Sequence, residues 1–164
     1  MATNGGGRTV ESLALYAREV VAMEARRILV VANQTLGGPT LRRELQRQMD
    51  EGPCRFTLLV PATHPHEHAT WTEEDARALA HRRLEAALAS LQETGAEVDG
   101  MVGDESPVLA VNDALIGKRF DEIILSTLPS GASRWLKQDL PHRIERRFKL
   151  PVTTVIAERM PSPA

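Results

Sequence analysis

Four segments of this 164-residue chain combine hydroxyl, carboxylate, imidazole or glycine groups in patterns that could hold a ligand. Ser126-Thr127-Leu128-Pro129-Ser130-Gly131-Ala132-Ser133 carries four hydroxyls. Such side chains, with main-chain amides, can hold a phosphate or a sugar. They can equally cap a helix, Ser133 or Ser130 accepting its first amides. In Gly103-Asp104-Glu105-Ser106-Pro107 the glycine allows a ligand to reach the main chain, and Asp104 could accept ribose hydroxyls. The simpler reading is a loop whose acids are solvated near a helix dipole. Asn33-Gln34-Thr35-Leu36-Gly37-Gly38-Pro39 leads from an apolar run into a helix, where amides can bind phosphate. Here too a tight turn with Pro39 starting the helix is the plainer account. His64, His66 and His68 alternate around Glu67. Positions two apart in an extended segment point the same way, so three imidazoles could converge on Zn2+ or Ni2+. No neighbour completes a closed ligand set, which favours an incidental surface loop.

Other chemistries are excluded or weakened. Cys54 is the single cysteine, so there is neither a disulfide framework nor a zinc ribbon, and a structural thiol is expected. There is no Gly-Lys-Ser/Thr, no G-x-G-x-x-G after a strand, no G-x-S-x-G and no H-E-x-x-H. With no organised acid/base set, catalysis is the weaker expectation. A small metal-dependent phosphohydrolase using Asp104 stands last among the alternatives. The segment from Arg134 to Lys149 carries Arg134, Lys137, Arg143, Arg146, Arg147 and Lys149 against Asp139 and Glu145, but only Trp135 and Phe148 are aromatic. A solvated basic face is expected there, not a nucleic-acid site. A net charge of −2 gives no global pull toward polyanions or membrane surfaces. No apolar run reaches the roughly 20 residues of a membrane span, and no signal-peptide core is present. The expectation is a soluble cytoplasmic protein without nucleic-acid or membrane partners.

The elements that must position these loops follow from periodicity. Val10, Leu13, Ala17 and Val20 recur at helical spacing to about Ala25. Ile28-Leu29-Val30-Val31-Ala32 is the continuous apolar run of a buried parallel strand. Leu41, Leu45 and Met49 mark a helix ended by Gly52-Pro53, and Phe56 to Val60 is the second strand, closed by Pro61. Thr72 and Asp75 form a capping pair at the start of a long helix with Leu79, Leu84, Leu88 and Leu91 on its apolar face and Gly95 as its stop. A weaker strand runs from Glu97 to Val102. Ser106-Pro107 then reads as cap and first residue of a helix with Val108, Val111, Leu115 and Ile116 inward. The fourth strand is Asp121 to Thr127. Ser133 to Phe148 is helical, with Pro141 kinking or splitting it, and Pro151 to Ile156 is the last strand.

Strands alternating with helices imply a single α/β domain with a five-stranded, mostly parallel sheet covered on both faces, plus an extra N-terminal helix. The chain divides into a loose end (1–8), an amphipathic helix (9–26), the α/β domain (27–157) and a polar tail (158–164). In such sheets ligands sit beyond the carboxyl ends of the strands, where strand order reverses.

In order of elements and in several motifs the chain resembles the universal stress protein family over about Arg27 to Ala157. The resemblance rests on Ile28 to Asn33, Gly103-Asp104 with Pro107, Ile123 to Thr127, and Leu150-Pro151-Val152. It implies a Rossmann-like fold, a homodimer formed through the last strand (Val152, Thr153, Thr154, Val155 and Ile156), and a site for ATP or another adenine nucleotide with Mg2+. Carried onto this sequence, that site comprises Asn33, Gly103, Asp104, Ser126, Thr127, Ser130, Gly131 and Ser133. The nucleotide-binding members have Asp where Asn33 stands and follow the fourth strand with G-x2-G-x9-G-[ST]. Here those glycine positions are Ser126, Pro129 and Gln138 or Asp139. Pro129 lacks an amide, and Asp139 would set a negative charge near a triphosphate. The expectation is therefore a regulatory or binding protein with a weak or altered nucleotide site; a genuine nucleotide-binding stress protein is the alternative. A charged residue at Val155 is expected to give monomer.

Overall fold

Alternating destinations of the strand residues build two apolar layers from one sheet. A computed structural model describes residues 6–64 and 70–158. Five strands, β1 (Arg26–Val31), β2 (Cys54–Pro61), β3 (Glu97–Gly103), β4 (Glu122–Thr127) and β5 (Val152–Ile156), pair in parallel in the order β3-β2-β1-β4-β5. Along β1, Ile28 and Val30 face one side and Leu29 and Val31 the other, all fully buried. The first face is covered by α2 (Pro39–Glu51) and α3 (Glu73–Glu93), through Leu41, Leu45, Leu84, Ala87 and Leu91. The second is covered by α4 (Pro107–Leu115) and α6 (Leu140–Phe148), through Ala110, Val111, Leu140 and Ile144. Burial of each such leucine or isoleucine stabilises by roughly 1.5–3 kcal/mol.

Local signals set the boundaries. The Thr72 side chain accepts the Asp75 amide at 3.2 Å while the Asp75 carboxylate accepts the Thr72 amide at 2.8 Å, a complete capping box. These donors hold the Asp75 carboxyl below its usual range, the backbone bond contributing most. The Ser133–Phe148 segment divides into α5 (Arg134–Lys137) and α6, because Pro141 enters at the first turn of a new helix, where its missing N–H costs nothing.

Three expectations are corrected. Ile116 does not face inward: α4 ends at Leu115 and Ile116 is 71% exposed. Ser106 stands at the N-cap position of α4 without a side-chain cap; its amide instead donates to Asp104 Oδ1 at 2.8 Å. The N-terminal helix, α1 (Gly6–Glu24), begins before residue 9, and its apolar residues Val10, Leu13, Leu15 and Tyr16 are exposed. Among the described residues, no helix is long and apolar enough to cross a membrane.

Candidate functional site

Strand order reverses between β1 and β4, so the loops that follow these two strands frame the crevice. Their chain path puts Thr35, four residues beyond β1, against Ser126 near the end of β4. The two hydroxyl oxygens lie 2.6 Å apart and both residues are buried. This bond spans the crevice floor. Thr127 is buried beside it, its hydroxyl donating to the Leu128 carbonyl at 3.0 Å.

The loop after β4 uses its own donors. The amides of Ala132 and Ser133 both donate to the Pro129 carbonyl, at 2.8 and 2.9 Å. Buried Ser133 accepts the Leu136 amide at 3.1 Å as the cap of α5. Ser130 and Gly131 are exposed on the outside of this turn. Asp139 has a left-handed backbone, φ 54°, that favours glycine, whereas Gln138 has φ −92°. The Asp139 carboxylate meets His142 Nδ1 at 2.6 Å.

Asn33, just past β1, is held on both ends. Its Nδ2 donates to the Pro61 carbonyl at 2.7 Å and to Thr63 Oγ1 at 2.9 Å, while its Oδ1 accepts from Arg83 on α3. Arg83 is half-buried and its guanidinium is pushed below its ordinary value by burial, with Arg82 adding repulsion.

Gly103 closes β3 for a packing reason. A Cβ placed there would lie 2.7 Å from Ala110 Cβ and 2.9 Å from Leu59 Cδ1. The missing side chain is the space into which α4 settles on the sheet. Asp104 folds back on the turn through its bond from the Ser106 amide. His64 Nδ1 lies 3.4 Å from Glu105 Oε1, while His66 and His68 fall outside the described residues. Burial pushes the half-buried Cys54 thiol up, away from nucleophilic character.

The structure thus brings Asn33, Ser126, Thr127 and Ser133 to one end of the sheet, each engaged with protein partners. Thr35 and Arg83 complete this arrangement and were absent from the residues singled out by sequence. Arg83 had a signal: it stands three residues after Ala80 and four before Ala87, on the buried stripe of α3. Nothing in the sequence around Thr35 marks it.

The architecture is similar to the structure of a universal stress protein from Archaeoglobus fulgidus, with a TM-score of 0.56 and 14% identity, covering 86% of this chain and 98% of that one. The fold is that of a universal stress protein. No family model matches the sequence, and no curated protein matches it.

Proposed function

We propose that this chain is a universal-stress-type regulatory binding protein that works as a homodimer and whose nucleotide crevice does not hold a triphosphate. The observation that carries the reading is the buried Thr35–Ser126 bond across the crevice. Where the nucleotide-binding pattern has glycine and open amides, this loop has Ser126 bound to Thr35 and an amide-free Pro129. The Pro129 carbonyl consumes two of the amides that remain. A triphosphate entering here would have to break satisfied bonds.

Dimerisation through β5 is supported by its place as an edge strand with partly exposed residues. Val155 is 8% exposed and belongs to the core, so a charge there would unfold the protein and report nothing about association. Ile156, 48% exposed, is the informative position. Light scattering of Ile156→Lys should return the monomer mass with an unchanged melting temperature. A dimer mass for this variant rejects the β5 interface, and a monomeric parent protein rejects the dimer.

A phosphohydrolase reading has less behind it, since Asp104 spends a carboxylate oxygen on its own turn and, among the described residues, no second acid is bonded to it.

A further inference from the structure

The face of the sheet covered by α2 and α3 contains a cleft of about 300 Å3 that is separate from the loop after β4. Its floor is apolar, formed by Leu36, Leu41, Leu45, Ala87 and Leu91. Two cations line it: Arg42 from α2 and Arg83 from α3. Each guanidinium is bound to a neutral partner, Arg42 to Ser90 Oγ at 2.7 Å and Arg83 to Asn33 Oδ1. No carboxylate lines the cleft, and neither arginine is in an ion pair among the described residues.

A half-buried guanidinium without a counter-charge is costly unless something else supplies one. Five N–H groups on each arginine exceed the one bond each makes, which leaves donors in the planar fork that suits a carboxylate. A monoanion also sheds less hydration than a dianion on entering a partly apolar cleft. The volume is at the small end of ligand pockets, enough for a short chain.

We infer that the α2/α3 cleft binds a small carboxylate with an apolar body, its head on Arg83 and Arg42 and its chain on the leucine floor. The cleft shares Asn33 and Arg83 with the β1/β4 crevice but includes no residue of the loop after β4.

The test is calorimetric titration of the full chain with octanoate and, in parallel, with 1-octanol, which keeps the chain and loses the charge. Octanoate should bind and octanol should bind at least tenfold more weakly, the loss expected when a charge-assisted bond is removed. Arg83→Gln should weaken octanoate about tenfold or more. Ala86→Trp, at an exposed position on the cleft wall, should block it while the melting temperature stays unchanged. Absence of octanoate binding to the parent protein, equal binding of octanol, or full affinity in a folded Ala86→Trp variant each overturns the inference.

Discussion

Thr35 and Ser126 meet with 2.6 Å between their hydroxyl oxygens, one from the loop after β1 and the other from β4. Both are buried, so each satisfies the other in a place where water cannot. The bond crosses the point where the parallel sheet reverses its order, which is where this architecture leaves room for a ligand. A glycine at position 126 would leave that room open and Thr35 without its partner.

The first prediction concerns that pair. Ser126→Ala leaves a buried Thr35 hydroxyl unpaired and should cost about 1–3 kcal/mol in urea unfolding. Thr35→Ala should cost a similar amount. The double variant should cost less than the sum, with a coupling of about 1 kcal/mol. Strict additivity would show that the hydroxyls do not stabilise one another.

Gly103→Ala should destabilise by about 1–3 kcal/mol, since the new methyl meets Ala110 and Leu59 at distances no real Cβ tolerates. Thermal melting reads the effect directly. An unchanged melting temperature would mean that α4 can lift from the sheet, and that the glycine is not there for packing.

Asn33→Asp restores the residue of the nucleotide-binding pattern and places a charge toward Arg83, yet it should lower stability by about 1–2 kcal/mol. The amide nitrogen that donates to the Pro61 carbonyl and Thr63 becomes a second acceptor facing an acceptor. Equal or greater stability in denaturant would show that the Arg83 ion pair outweighs the lost bond to the Pro61 carbonyl.

Asp75 gives a pH dependence with a defined sign. Its folded-state pKa lies below its unfolded value, so the capping box contributes fully above about pH 4, the ordinary carboxylate value. That contribution is lost as pH falls through the lower folded-state value. Melting temperatures of Asp75→Asn should therefore fall less steeply in acid than those of the parent protein. Parallel acid profiles would show that the carboxylate is not what stabilises the cap.

Much of the fold was legible because its signals are local and periodic. The apolar run at Ile28 to Ala32, the Thr72–Asp75 box and the proline at 141 each act within a few residues, and the structure honours all of them. Ile116 was misread because helical spacing continues one residue past the real end of α4. The site was less legible for a different reason. The hydrogen-bonded residues 35 and 126 are 91 apart in the chain, and 33 and 83 are 50 apart. Such pairs exist only once the sheet has formed, and a threonine in a Gly-rich turn has no periodicity to betray it. Gly103 shows the same limit: its sequence context fits a ligand approach and a helix contact equally, and only the position of Ala110 separates them.

Native mass spectrometry of freshly purified, untagged protein, before and after addition of Mg-ATP, bears most directly on the closed crevice. The account predicts a dimer mass without adduct that Mg-ATP leaves unchanged. A stoichiometric nucleotide-sized adduct on the dimer would contradict it, showing that the Thr35–Ser126 bond opens and that the loop after β4 still holds phosphate.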